Sequence, residues 1–506
     1  MEAWTGQSKA NHPFDEFRER EAVLLLCLLA AIHVFIFSAA FPFFNNVDEL
    51  AHFDLIVKYS HGQVPRGMET FSPDSSAYLA IFTSGEYWTD PKTLPDGKFP
   101  LPLWEQTADK MRADMANYMA VWQSRNNYEV SLPPLYYAMA GSWWDMGQWL
   151  GFTGGHLLYW LRFLNIALVA VMVWLGYVAT RMIFPDNVFL RLGVPGLLAF
   201  MPQTTLYSAG NDVLSPLCFG VVFICLIKWL RDENPSAWLG FATGIAFAAT
   251  YLAKTTNLPL LAVALAALMY KAWKGFNASG KSRAGPTALG AFGCGATPPI
   301  VCWTLWCKIH FGDLTGSKLK TDYFGWTVKP SGEWLHHPIF SLHGIWTYLS
   351  GQLATFWQGE FTWHTQPMAP PVINAIYTVL SLVLVGVTVA KLFSSSLNAI
   401  QRKSLWLSLA SIAAALGFFA LLSVVYDFHN CPNPSREHPY FSSGRLLLGG
   451  LIPFLLLFVY GIDGALNRFG TRIKFLALAA MIMFMLISEI AADTPVFSSQ
   501  YNWFHL

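Results

Sequence analysis

The sequence predicts an all-α protein that crosses a membrane about eleven times, and three observations carry that expectation. Hydrophobic residues make up 54% of the 506 and charged ones only 12%, where a soluble protein carries about 25% charged residues. Eleven runs approach the ~20 apolar residues that a helix needs to cross the hydrocarbon core. Basic residues also collect in every second short connection, the signature of the positive-inside rule.

In order, the runs are 22–44, 157–182, 188–208, 212–230, 236–253, 256–273, 288–308, 372–393, 404–426, 444–464 and 474–492. A helix suits each because it satisfies its own backbone hydrogen bonds where no water can. The first run follows a polar stretch with Lys9, Arg18 and Arg20, is too long and bulky for a signal peptide, and has no small-residue cleavage site behind it. It therefore reads as a retained helix with a cytoplasmic N-terminus. Counting from there puts Arg181/Arg191, Lys228/Arg231, Lys271/Lys274/Lys281/Arg283, Lys391/Arg402/Lys403 and Arg468/Arg472/Lys474 on the same side, and Leu506 outside. Residues 133–150 are apolar enough for a further crossing, but using them would send every later basic loop outside. With Trp143, Trp144, Asp145 and Trp149 they suit a helix lying in the interface.

The organisation that results is a cytoplasmic N-terminus (1–21), an N-terminal transmembrane module (22–308) whose first external loop is 45–156, a second external loop (309–371) and a C-terminal transmembrane module (372–506), with 427–443 as a third external loop. Loops this long are usually functional. Net charge is +1, which leaves no basic field for a nucleic acid. Of the seven cysteines, all but Cys431 lie in apolar runs and none forms a C-x-x-C pair, so no disulfide framework or thiolate metal site is implied. Eleven of the thirteen histidines, all except His12 and His33, fall on the outer side or its boundary. Among them His336, His337 and His343, or His429 and His438 with Cys431, show no recognised ligand spacing, and no metal site is assigned. The sequon at Asn277 falls in a cytoplasmic connection and carries no meaning there.

Directly after the first run comes Asn45-Asn46-Val47-Asp48-Glu49-Leu50-Ala51-His52-Phe53, with Leu50, Phe53 and Val57 at helical spacing. This is a short helix on the membrane with Asp48 and His52 on one face. Adjacent carboxylates at such a surface repel each other, so one is expected to have a raised pKa, as a general base needs. An acidic first turn behind an Asn46 N-cap explains the same residues without chemistry. Pro133 and Pro134 open the interfacial helix ahead of Tyr136 and Tyr137, which could line a sugar or lipid site; proline at a helix start is equally a structural preference. Arg162, Lys254 and Arg445 sit near the outer ends of runs, where a cation either faces a lipid phosphate or snorkels. Asn211 and Asp212 lie between two runs on the same side and could orient an acceptor or cap a helix.

Together these residues resemble the glycosyltransferases of superfamily C, with the protein O-mannosyltransferases and the lipid A aminoarabinose transferase as nearest analogues. Asp48-Glu49-Leu50-Ala51-His52-Phe53 resembles the start of their first external loop, and Pro133-Pro134-Leu135-Tyr136-Tyr137 their Pro-Pro-Leu interfacial helix. Trp160-Leu161-Arg162-Phe163 is similar to the Arg at the outer start of their second helix, Ala253-Lys254-Thr255 to a Thr-Lys or Ala-Lys site, and Ser443-Gly444-Arg445-Leu446-Leu447 with Pro453 to a late Arg-Tyr-Leu-Leu-x-x-x-Pro pattern. Leu446 replaces the usual aromatic, and neither a β-trefoil-sized insert nor a large C-terminal domain is recognisable.

The resemblance implies an inverting sugar transfer from a polyprenyl-phosphate donor to a lipid, glycan or protein acceptor outside the cytoplasmic (inner) membrane. It casts Asp48 as the base assisted by Glu49, with Arg162, Lys254 and Arg445 on the donor phosphate and His52, Tyr136, Tyr137, Asn211 and Asp212 on substrate. No cofactor is required for a monophosphate donor; a divalent metal enters with a diphosphate. A lipid-linked glycan flippase or transporter is the first competing expectation, disfavoured because no inverted repeat of broken helices is found. A polysaccharide polymerase or ligase leaning on Arg436, His438 and Arg445 is the second.

Overall fold

The computed structural model describes residues 13–279, 284–394, 397–431 and 433–506. Its helices in chain order are α1 (Pro13–Ala40), α2 (Glu49–Ser60), α3 (Pro73–Phe82), α4 (Ala108–Gln123), α5 (Leu135–Trp149), α6 (Gly154–Ile183), α7 (Val188–Ala199), α8 (Leu214–Arg231), α9 (Ala237–Ala253), α10 (Leu258–Ser279), α11 (Ala284–His310), α12 (Ser317–Tyr323), α13 (Leu342–Gln358), α14 (Pro371–Leu392), α15 (Ala399–Val425), α16 (Leu451–Ala465) and α17 (Thr471–Asp493). Each of the eleven apolar runs contains a helix. Among the described residues nine helices are long and apolar enough to cross a membrane, while Val188–Ala199 and Ala237–Ala253 are shorter. The protein is thus an all-α polytopic membrane protein.

Residues 188–208 do not form one continuous helix. The chain leaves the helix after Ala199 and re-enters a 3-10 turn at Thr204–Tyr207. Pro202 disfavours helical backbone at the residue before it, so the break falls there. The interruption exposes backbone and side-chain polar groups that reach neighbouring elements: Gln203 Nε2 donates to the carbonyls of Thr355 (3.0 Å) and Phe356 (2.6 Å) on α13.

Buried area is distributed unevenly around the bundle. The Gly444–Ala465 helix is 89% buried and Asn211–Arg231 72%, whereas Gly285–His310, Thr255–Lys274 and Pro371–Leu392 fall below a third. The first two form the core of the bundle, and the others present apolar side chains outward, as lipid-facing helices do. Of the basic residues in the short connections, Arg191 pairs with Glu19 (2.6 Å) and Lys474 with Asp463 (2.6 Å). Lys9, Lys281 and Arg283 lie outside the described residues, and so does the Asn277 side chain.

The long connections gather at the other end, where they pack on each other. A two-residue antiparallel ladder joins Glu69–Thr70 to Asn126–Asn127 within the first loop, and another joins Thr327–Val328 of the second to Tyr426–Asp427 of the third. The interfacial helix expected over 133–150 is α5. It locks onto α6 through stacked Trp143 and Trp160 rings (4.3 Å between centroids, 3° apart), each indole N–H donating to the other residue's carbonyl at 2.8 Å. Within the second loop α13 presents Gly344, Tyr348, Gln352 and Phe356 inward, four residues apart, and is capped by the Ser341 hydroxyl. The sequence predicts only an external loop over 309–371; the N-cap serine is the one local mark of this helix.

Candidate functional site

Four chain segments meet at the loop-bearing end: the start of α2, the 3-10 turn Asn211–Val213 before α8, the residue after α9, and the 3-10 turn Gly444–Gly450 that leads into α16. Each delivers one charged side chain. Asp48 is the N-cap of α2, with φ 61° and no capping bond from its side chain. The N-cap is therefore Asp48 and not Asn46, whose amide instead ties the carbonyl of Thr204 (2.8 Å). The left-handed backbone, tolerated by Asp, frees the carboxylate to face away from its own helix.

Asp48 Oδ1 accepts from the Tyr128 hydroxyl (2.8 Å) and Oδ2 from Arg445 Nη2 (2.5 Å). Arg445 also donates through Nη1 to Asp212 Oδ2 (3.1 Å) and through Nε to Glu360 Oε2 (3.3 Å). Lys254 pairs with the other oxygen of Asp212, and the Ser443 hydroxyl with Glu360. Asp48 and Glu360 side chains remain 17% and 22% exposed, against 4% for Asp212, so the first two are what an arriving molecule meets. Beside them the Glu129–Lys320 ion pair packs against Tyr128, with the ammonium 5.6 Å from its ring centre.

Burial alone would raise the Asp48 carboxyl, but the charges of Arg445 and Lys320 and the Tyr128 hydrogen bond outweigh it. The group is held well below the ordinary carboxylate range. The raised pKa expected for one of the two adjacent carboxylates is therefore not found at Asp48. His52, one turn further, donates or accepts at Nδ1 with the Tyr137 hydroxyl (2.7 Å). Burial lowers its pKa to about 3, so the imidazole is neutral. Burial, then the Asp48 charge, pushes the Tyr128 hydroxyl well above its ordinary value.

Glu49 points the other way. It is fully buried, accepts from Arg162 Nε (2.7 Å) and Nη2 (2.6 Å), and takes the backbone N–H groups of Phe44 (3.0 Å) and Ala209 (2.8 Å). Arg162, equally buried, spends its remaining N–H groups on the carbonyls of Ser38 (3.1 Å), Phe41 and Pro42 (3.0 Å). A guanidinium has five N–H donors, and all five are occupied. The expected base assistant and phosphate ligand thus form a closed internal pair with no donor left for a ligand. Arg445, by contrast, uses three of its five on carboxylates, and Lys254 one of three.

The expected substrate residues also separate. Tyr136 and Tyr137 are both fully buried. Asn211, buried too, gives its amide to the Ala253 carbonyl (3.1 Å) and so holds the end of α9 that carries Lys254. His52 and Asp212 do belong to the cluster. Three members escaped the sequence reading: Tyr128, Lys320 and Glu360. Only Glu360 had a signal, being the single acidic residue between Glu333 and Asp427. It follows Gly359, which ends α13 with φ 81°. Gly444, just before Arg445, has room for no side chain: a Cβ there would lie 2.0 Å from the Gln352 carbonyl. Among the described residues no three His, Cys, Asp or Glu side chains converge as a metal would need. His337 bonds the Pro439 carbonyl (3.1 Å) and His429 the Arg436 guanidinium (2.8 Å).

Comparisons with known proteins give two kinds of match. No curated protein matches the sequence. Among solved structures the chain is similar to the Archaeoglobus fulgidus oligosaccharyltransferase in complex with zinc and sulfate, at 12% identity and a TM-score of 0.44, covering 94% of this chain and 53% of that one. The apo form of that enzyme gives 11% and 0.41 over 96% and 56%. The archaeal oligosaccharyltransferase AglB from the same organism, in complex with an inhibitory peptide and a dolichol-phosphate, gives 11% and 0.43 over 96% and 56%. The chain spans about half the length of these structures. Residues 30–427 match the family described as "Predicted membrane protein (DUF2142)", a span that holds every charged member of the cluster except Arg445, and the chain belongs to that family.

Proposed function

We propose that the protein is a membrane glycosyltransferase that moves a sugar from a polyprenyl-phosphate carrier to an acceptor hydroxyl on a lipid, glycan or protein, with inversion. The observation that carries this reading is a partly exposed carboxylate, Asp48, hydrogen-bonded to a guanidinium that keeps spare donors. Asp48 accepts the proton of the acceptor O–H. The acceptor oxygen attacks the anomeric carbon opposite the phosphate, the carbon–oxygen bond breaks, and its electron pair leaves on the phosphate. Free N–H groups of Arg445 and Lys254 stabilise that growing charge. The depressed pKa keeps Asp48 ionised at neutral pH but weakens it as a base, so proton transfer to it gains strength as the donor phosphate draws Arg445 towards itself and off the carboxylate. Tyr128 holds the base in place, neutral His52 lines the site one turn behind it, held by Tyr137, and Glu49 and Arg162 fix the turn that presents it. The site lies on the external face of the cytoplasmic membrane, with the N-terminus inside; the basic connections opposite it support that orientation.

One observation favours a second version. The carboxylates of Asp48, Asp212 and Glu360 outnumber the cations of Arg445 and Lys254 by one. A diphosphate donor could bring a divalent ion held by one or two carboxylates, with the phosphates and water completing its ligands.

Radiolabelled polyprenyl-monophosphate sugars offered to membranes with equal amounts of wild type, Asp48→Asn and Arg445→Ala test the primary reading. Loss of a positioned base typically costs about 10²–10⁴-fold, and both variants are expected to fall by at least that much. Full transfer by Asp48→Asn would remove the assignment. Transfer only from diphosphate donors, and only with magnesium, would select the second version.

A further inference from the structure

Behind the cluster lies a second polar recess that the transfer reading does not use. It is lined by Thr204, Gln358, Gly359, Phe361, Glu489 and Asp493, and leaves about 20 Å³ for the centre of a water-sized occupant, enough for one water or ion. Glu489 and Asp493 stand one turn apart on α17. Glu489 is held by His33 Nε2 (2.6 Å) and by the Tyr207 hydroxyl. Asp493, 3% exposed, has no such partner among the described residues. Two further side chains point to a ligand independently of the acids. Gln358 is 6% exposed and Thr204 3%, yet both amide atoms of Gln358 and the Thr204 hydroxyl lack a hydrogen-bond partner. Buried polar groups in this state are costly and call for an occupant.

We infer that this recess binds one compact monovalent cation through oxygen ligands from Thr204, Gln358, Asp493 and Glu489. Hydroxyl, amide and carboxylate oxygens are the set that hard cations prefer. Turned either way, the Gln358 amide presents one oxygen. A proton on Asp493 would remove its charge but leave the Thr204 hydroxyl and the Gln358 amide oxygen unpartnered, whereas a cation engages the oxygens of all three. The occupant is a free inorganic ion or the ammonium head of a small amine, since both carry one charge in a volume this size. Binding would brace α1, α17 and the turn before Gly359, whose neighbour Glu360 bonds Arg445.

The full chain, purified in detergent, is heated in sodium chloride, ethanolamine hydrochloride or N-methyl-D-glucamine chloride at equal ionic strength. A saturable rise of several degrees in the unfolding midpoint with sodium identifies the inorganic ion; a rise with ethanolamine identifies an ammonium head. The rise is expected to vanish in Asp493→Asn and to need at least tenfold more cation in Thr204→Val, a near-isosteric change. Equal midpoints in all three salts, or a rise unchanged in both variants, would overturn the site. Transfer activity plays no part in this readout, so it stands or falls separately from the glycosyltransferase reading.

Discussion

Glu49→Gln separates two neighbouring carboxylates that look interchangeable in the sequence. In the wild type both oxygens of Glu49 are fully enclosed and accept from two guanidinium N–H groups and two backbone N–H groups. Glutamine keeps one accepting oxygen and replaces the other with an amide NH2, which then faces donors. Two hydrogen bonds are lost, at least one of them charge-assisted and worth about 1.5–3 kcal/mol, and the Arg162 charge is left uncompensated in the interior. Breaking a buried pair from one side costs about 3–5 kcal/mol, and that is the loss expected here. Arg162→Met is expected to cost a similar amount, and the double variant clearly less than the sum, because the two residues form one unit. Thermal unfolding of detergent-purified protein measures all three. Asp48→Asn serves as the comparison: its side chain is 17% exposed and Asp212 and Glu360 remain to balance Arg445, so stability should fall by less than in Glu49→Gln. A Glu49→Gln protein as stable as wild type but inactive in transfer would refute the reasoning and return Glu49 to the chemistry.

Two further outcomes follow from the same geometry. His52 has a folded pKa of about 3 against about 6.5 in an unfolded chain. The unfolded state binds the extra proton first, so stability falls as pH drops from about 6.5 towards 3. At pH 5 the difference is about 2 kcal/mol; His52→Gln, which cannot titrate, should lose that much less than wild type between pH 7.5 and 5 in unfolding experiments, and parallel curves would contradict the assignment. Gly359→Ala places a Cβ 2.1 Å from Thr204 Oγ1 and 2.6 Å from Gln203 Oε1, at φ 81°. It is expected to cost about 1–3 kcal/mol and, by moving Glu360, to depress transfer; undiminished stability and transfer would show that the turn is not needed.

Much of the fold was legible because a bilayer imposes simple rules: about 20 apolar residues per crossing and basic residues on one side. Those rules placed a helix within each of the eleven runs and predicted a helix over 133–150, where α5 is found. They did not show the break at Pro202 or α13, since the run 188–208 is apolar enough on average to read as one crossing despite Gln203, Thr204 and Thr205, and α13 sits in a loop whose packing partners are distant in sequence. At the site Asp48, Asp212, Lys254 and Arg445 were named from local pattern and do meet.

The sequence by itself determined the solvent, the helices and the group of charged residues near their ends, because hydropathy and charge act locally along the chain. Tertiary structure alone decided which of those charges keep hydrogen-bonding groups unspent. Asp48 and Glu49 are adjacent, yet a left-handed residue at the start of α2 turns one towards Arg445, 397 positions away, and leaves the other with Arg162, 113 positions away. No local spacing encodes partners at such separations. What separates the two arginines is the number of N–H donors each has already committed, and only packing fixes that number.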